Sequence, residues 1–432
     1  MTRTRQAAPD LTTPDPRRRA PRRALFRVTL VLGACLAALP VTVGRAQPPP
    51  AATLEVRALW VTRTSLTTPK AVAEMVAAAR AAGFNTILVQ VRGRGDAYFS
   101  DGMEPRAAPL ASQPDSFDPL ATTLRLAHAA GLRVHAWVNV NLVASAADLP
   151  ASRAHVVYRH PEWLMVPRAL ARDMALLNPA SLLYLDKLTR WVRSRSDTVE
   201  GLYLSPIPEG AADRTVQVLA DLVARYPVDG LHLDYVRFPT DEFDYGREAL
   251  TAFKAALLET LDEAARARHQ RRIGSDLVGW AEAFPAEWLG FRRARLTALV
   301  ARVRDSLRLR RPGAILSAAV YPDPAEALSS RLQDWSDWVG RGLIDVVCPM
   351  AYATDPESFE RQVTAARRAA KDAPVWAGIG AYRLTTAETI ENIRIARRLG
   401  ATGVVLFSYD SLVGQRKGSA SLSHVSRAVF GG

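Results

Sequence analysis

Eight short apolar runs recur along the chain, at 56–61, 84–91, 132–138, 230–236, 315–321, 344–350, 375–379 and 403–407. The clearest lies within V-D-G-L-H-L-D-Y-V-R-F-P (228–239), where Leu231, Leu233 and Tyr235 alternate with His232, Asp234 and Val236. That period is a strand's. Asp229-Gly230 is a turn signal before it and Pro239 a stop behind it. Helical periods at 69–82, 119–130, 212–226, 287–308, 358–370 and 386–399 separate nearly all of the runs. Gly83, Gly131 and Gly400 fall just after helices, where a left-handed cap is expected. Strands alternating with helices imply parallel βαβ units. Eight of them in a chain of this length predict an α/β fold, a (β/α)8 TIM barrel with long insertions after strands 3 and 4. The alternative is an open doubly wound sheet, but no G-x-G-x-x-G follows the first run.

The insertions span about ninety residues after the third run and about eighty after the fourth. Connections of that length are usually functional or carry small subdomains. Both follow a barrel strand, so both are expected over the face where barrel active sites lie.

The first fifty residues differ from the rest. Arg17, Arg18, Arg19, Arg22, Arg23 and Arg27 precede an apolar run from Val28 to Val43. Gly44-Arg45-Ala46 then offers small residues to a signal peptidase, with cleavage before Gln47. Residues 1–46 thus read as a signal peptide, too short in its apolar run to favour a membrane span. Arg22-Arg23 resembles a weak twin-arginine signal. Leu32-Gly33-Ala34-Cys35 resembles a lipobox, which would make Cys35 a lipid anchor; the apolar run continues well past Cys35, which favours soluble export. Residues 47–54 read as a linker, 55–412 as the barrel and 413–432 as a tail. The expected location is periplasmic or extracellular, with no transmembrane helix in the mature chain.

The leader changes the charge argument. The chain carries a net +13, but nine Arg and two Asp fall in the first 46 residues. The mature chain is left with 47 basic and 41 acidic residues, a net +6 with no basic block to suggest nucleic acid. Such a balance suits an anionic surface or polymer. Of two cysteines, only Cys348 survives cleavage, so no internal disulfide is expected.

The strand ends share a chemistry. Arg92, Asp96 and Glu104 follow the second run; His135, Asn139 and Asn141 belong to the third; His232, Asp234 and Arg237 to the fourth. Asp323, Tyr352, Tyr382 and Asp410 follow the later runs. Aromatics, amides and carboxylates around one rim suit a sugar, although an aromatic at a strand end is often packing. Glycoside hydrolysis needs two carboxyl groups. Asp234 is the first candidate, with Glu104 and Asp323, and also Asp96 and Asp410, open as its partner. A nearby Arg237 would keep Asp234 ionised, as nucleophile rather than acid. An ion pair at a strand terminus is the structural alternative. His135 and His232 could sit side by side near Asp234, as in a metal-assisted deacetylase, but paired buried histidines are more often hydrogen-bonded structure. There is no H-E-x-x-H, P-loop or G-x-S-x-G. No metal or cofactor is expected.

Taken together, R-A-L-W-V-T (57–62), F-N-T-I-L-V-Q-V-R-G-R-G-D-A-Y (84–98), H-A-W-V-N-V (135–140), the 228–239 stretch and D-V-V-C-P-M-A-Y (345–352) resemble the bacterial glycosyl-hydrolase-like family ten. The resemblance spans roughly 55–412. It implies a TIM barrel, export or lipid anchoring and action on glycans, with Asp234 as a key acidic residue; some members cleave peptidoglycan strands stripped of their peptides. A more distant likeness is to family-eighteen chitinases, with D-G-x-D-x-D-x-E and M-x-Y, which Asp229, Gly230, Asp234, Met350 and Tyr352 match. His232 and Val236 stand where that family has an acid, so its catalytic Glu is not carried over. The expectation is an exported glycoside hydrolase of a polysaccharide, peptidoglycan foremost, with Arg92, Asn139, Arg237, Tyr352 and Tyr382 holding the sugar. The alternative is a non-catalytic glycan-binding barrel of the cell envelope.

Overall fold

The computed structural model describes residues 54–414 and 420–431. The expected signal peptide, the alternative anchor site at Cys35 and the expected linker up to Thr53 lie outside the described residues. The strands are β1 (Val56–Val61), β2 (Thr86–Arg92), β3 (Arg133–Asn139), β4 (Leu142–Ala144), β5 (Leu202–Tyr203), β6 (Gly230–Asp234), β7 (Ile315–Val320), β8 (Val346–Ala351), β9 (Trp376–Ile379) and β10 (Gly403–Phe407). Eight close a barrel in the order β1-β2-β3-β6-β7-β8-β9-β10, with β10 pairing back onto β1. Every neighbouring pair is parallel. This is the (β/α)8 barrel that the alternation predicts. The expected runs correspond to the barrel strands, while β4 and β5 form a separate antiparallel pair inside the first insertion.

The crossover helices begin in a recurrent way. Thr68, Asp118 and Asp355 cap helices whose first residue is proline, each side chain accepting from a backbone N–H of the first turn. Proline fits there because its missing N–H would have had no partner. At the other end of the chain, a helix over Leu422–Val429 packs back on the barrel's amino-terminal side, where Phe430 meets Phe84 with ring centroids 5.1 Å apart.

The apolar interior is divided in two. One core lies between strands and helices; a smaller one fills the lumen with Ala58, Trp60, Leu88, Trp137, Val346, Cys348, Trp376 and Val405. Two histidines are buried inside it. His232 Nε2 accepts from Trp60 Nε1 at 3.0 Å and its Nδ1 lies 2.9 Å from the Ser317 hydroxyl. His135 lies one layer lower, beside Gly230 in the β3–β6 register, with neither ring nitrogen partnered among the described residues. A Cβ on Gly230 would collide with its Nδ1, so the strand needs glycine at that point. The lumen is therefore a packed core, and polar chemistry is confined to its upper end.

β6 stops at Asp234, two residues short of the expected run, because Tyr235 adopts a left-handed φ of 50°. A side chain there costs about 1–3 kcal/mol. The bend is held by Val140 N donating to Asp234 O at 2.7 Å and Asn141 N donating to Tyr235 O at 3.2 Å.

Candidate active site

A cavity of about 470 Å3 opens at the carboxyl ends of β6, β7, β8 and β10. Asp234, which is buried, lines it with Tyr235, Arg237, Tyr321, Tyr352 and Phe407, and Glu326 and Gln362 complete the polar lining. The turn at Tyr235 places Asp234 there. Asp234 Oδ1 accepts from Tyr235 N at 2.6 Å and from Arg237 Nη1 at 3.4 Å, and Oδ2 accepts from Trp137 Nε1 at 3.1 Å. The Arg237 guanidinium is buried, stacked 4.0 Å over the Tyr235 ring. Its other terminal nitrogen donates to Glu200 Oε1 at 3.4 Å, while Glu200 Oε2 accepts from the Tyr203 hydroxyl at 2.6 Å.

One guanidinium thus joins two carboxyl groups. Both contacts being 3.4 Å, the bridged oxygens can lie on the order of 9 Å apart at most. Their environments differ. Burial pushes the Asp234 carboxyl above its ordinary range, and Arg237, the Tyr235 N–H and the Trp137 N–H oppose it without cancelling it. Burial also pushes Glu200 up, but there Arg237 and the Tyr203 hydroxyl outweigh it and hold the group below its ordinary value. Arg237 taken alone would have favoured an ionised Asp234; desolvation at the strand end is the larger effect.

An aromatic wall stands beside the pair. Tyr352 and Phe407 stack at 5.7 Å and 23°, Tyr382 meets both edge-on, and Trp60 and Trp137 close the floor. Tyr382 is 41% exposed, so its ring is available to a sugar face.

The remaining candidates are distributed differently. Glu104 is buried and bidentate to Arg92, at 2.7 Å on both oxygens, and Arg92 also donates to the carbonyls of Asn139 and Val140. Asp323 caps the helix Pro324–Ser330. Asp96 accepts from the backbone of Arg94. Asp410 accepts from Thr62 N, Thr64 Oγ1 and Ser65 Oγ. Each of these carboxylates has a structural partner and none lines the cavity; Glu200 does not line it either, and is distinguished from them by its link to Asp234 through Arg237. Asn139, level with Asp234 in the strand register, is tied to Gln90 and to the Gly93 carbonyl. His135 and His232 lie below the site; burial holds both neutral, His135 at about 4 and His232 well below its ordinary value. Among the described residues, no group of three or more His, Cys, Asp or Glu could hold a metal ion.

Sequence reasoning missed Glu200, Glu326 and Gln362. Glu200 had a signal. V-E-G-L-Y-L (199–204) repeats the acid-Gly-alternation pattern of V-D-G-L-H-L (228–233).

A model of the family described as glycosyl hydrolase-like 10 matches residues 55–392. The chain is 27% identical over 289 residues to glycosyl hydrolase DigH of Escherichia coli (strain K12), covering 62% of this chain and 55% of that protein. It is 22% identical over 291 residues to glycosyl hydrolase YngK of Bacillus subtilis (strain 168), covering 62% and 46%. The chain spans about half the length of these curated relatives. Among solved structures, the PgaB (BpsB) glycoside hydrolase domain from Bordetella bronchiseptica superposes with a TM-score of 0.58 at 16% identity, covering 84% of this chain and 97% of that one. The catalytic domain of a β-amylase from Paenibacillus polymyxa superposes at 0.57 and 12% identity, covering 88% and 99%. At these identities the structures are likenesses of fold.

Proposed function

The chain belongs to the glycosyl hydrolase-like 10 family, and from that premise we propose that it is an exported glycoside hydrolase acting on a polysaccharide, peptidoglycan glycan strands foremost. The observation that carries this reading is the pair of carboxyl groups, Asp234 and Glu200, bridged by Arg237 beside an aromatic-walled cavity. Two carboxyls whose environments push their pKa values apart suit an acid and a base. Asp234, raised by burial, gives its proton to the leaving glycosidic oxygen. Glu200, held ionised, takes a proton from the attacking water. A separation under about 9 Å admits both the inverting arrangement, at roughly 6.5–9.5 Å between carboxyls, and the retaining one, at about 5–5.5 Å; the ionised state of Glu200 is what assigns it to the water. Tyr352, Phe407 and Tyr382 offer faces to pyranose rings, and Arg237 fixes both carboxyls while the sugar is bound.

A second reading has its own support. Position 236 is Val, and both oxygens of Asp234 already accept N–H bonds, as they would in a binding protein that performs no chemistry. One experiment separates the two. The mature protein and its Asp234→Asn variant are incubated with peptide-free peptidoglycan strands, and the soluble products are read by mass spectrometry. Fragments from the first and none from the second support hydrolysis through Asp234. Binding without fragments supports the glycan-binding reading. Full activity in the variant would remove Asp234 from the mechanism. Proton NMR of the first product tests Glu200: an inverted anomer is expected, and a retained one would exclude Glu200 as the water's base.

A further inference from the structure

Two arginines at the rim are not absorbed by the acid–base pair. Arg63 follows β1 and Arg94 follows β2, and both are half-buried. Arg63 donates from Nη1 to Gln90 Oε1 at 3.0 Å and lies against Gly93, where a Cβ would come within 2.8 Å of its side chain. Gln90 in turn donates to Asn139, and Asn139 to the Gly93 carbonyl at 2.8 Å. This network fixes the Arg63–Gly93–Arg94 corner to the residue level with Asp234.

The other buried arginines of this half of the barrel are neutralised. Arg92 has Glu104, and Arg237 has Asp234 and Glu200. Among the described residues, no carboxylate lies within ion-pair distance of Arg63 or Arg94, and the Arg94 guanidinium makes no hydrogen bond. Asp96, the nearest acid in sequence, is turned to the Arg94 backbone N–H at 2.8 Å. The Arg94 pKa is lowered, by burial first and by the charge of Arg63 second, and its charge is felt by Tyr235 and Tyr203 on either side of the Arg237 bridge. Two like charges held half-desolvated, neither in an ion pair and with Asp96 the nearest opposing charge, repel one another and favour an anion.

We propose that Arg63 and Arg94 form an anion subsite that binds a carboxylate carried by the glycan, so that the enzyme selects acidic polysaccharide over neutral. The guanidinium fork matches a carboxylate bidentately. In a peptidoglycan strand, removing the peptide frees the carboxylate of the lactyl ether; in a uronic acid polymer the carboxylate is on the ring. The net charge of +6 expected for the mature chain agrees with such a polymer. The inference rests on the glycoside hydrolase reading for its place in a reaction, but not for its chemistry.

The test compares peptide-free peptidoglycan strands with the same strands after carbodiimide amidation of their carboxylates. For the wild type, amidation should raise KM about tenfold or more and leave kcat nearly unchanged, the loss of a charge-assisted contact. Arg94→Gln, and Arg63→Gln with it, should show the higher KM on native strands and no further response to amidation. Arg94→Lys should recover part of the preference. An equal response to amidation in wild type and Arg94→Gln, or none in the wild type, would overturn the proposal. If no strand is cleaved, the hydrolase reading fails, and the subsite is tested by binding. Calorimetric titration then uses the Asp234→Asn variant, with and without Arg94→Gln, against oligogalacturonate and neutral cello-oligosaccharide of equal length. A preference for the acidic sugar that depends on Arg94 supports the subsite; equal binding, or none, overturns it.

Discussion

Asp244 is a buried carboxyl whose titration should be visible in the stability of the whole protein. It is 1% exposed and accepts from Val166 N at 2.9 Å and Gly246 N at 2.8 Å, joining the first insertion to the second. Burial raises its pKa from the ordinary 3.8 to about 6, against the pull of those N–H groups and Ser205. The folded state therefore keeps the proton over a range in which the unfolded chain has lost it. The favourable contribution is complete below about pH 4 and is lost as pH rises through 6. About two pKa units at 1.36 kcal/mol each come to about 3 kcal/mol. Urea unfolding of wild type and Asp244→Asn at half-unit steps from pH 3.5 to 7 isolates it. The wild type should lose about 3 kcal/mol relative to the variant across that window. A pH-independent difference between the two would refute the assignment. The segment held by Asp244 adjoins β5 and Ser205, so its loosening should also reach the loop that carries Glu200.

Three further outcomes follow. His135 titrates in the opposite sense: its folded pKa is about 4 against 6.5, so stability should fall by about 3 kcal/mol as pH drops from 6.5 to 4. His135→Leu should remove that slope and should itself be neutral or stabilising, because it deletes two unpartnered nitrogens; urea unfolding checks it, and a destabilised variant with the slope intact would count against the reading. Gly230→Ala drives a methyl into that ring and should cost about 1–3 kcal/mol or more in the same assay, largely relieved in the double variant with His135→Ala. Glu104→Gln should destabilise by about 3–5 kcal/mol by leaving the buried charge of Arg92 unpaired, yet the folded fraction should cleave glycan at the wild-type kcat, measured with active-site concentration corrected by circular dichroism; a kcat loss without a stability loss would return Glu104 to the catalytic candidates.

The barrel was legible because its evidence is local. Period-two runs, proline starts and glycine stops are each written within a dozen residues, and they give strand order once right-handed crossovers are assumed. Asp234 was legible for the same reason, as a charge at the end of an apolar strand. The partner proposed for it was not. Glu200 reaches the site through Arg237, 37 residues away, across an insertion whose path depends on β4 pairing with β5 and on Asp244. Glu104 reads as a free loop acid in the sequence because nothing there marks Arg92, itself a candidate sugar ligand, as its mate; burial makes them satisfy each other. Strand length was overread at Val236 because no residue pattern announces a tyrosine with positive φ.

The single guanidinium between Asp234 and Glu200 means that neither carboxyl has a private titration. A proton placed on one releases part of the Arg237 charge to the other, so the pair loses its protons in two steps that belong to the trio. The two limbs of a pH–rate curve would then move together in any variant that touches one member. Such co-movement would mark Arg237 as the residue that couples the two carboxyls, while burial keeps Asp234 the more basic of them.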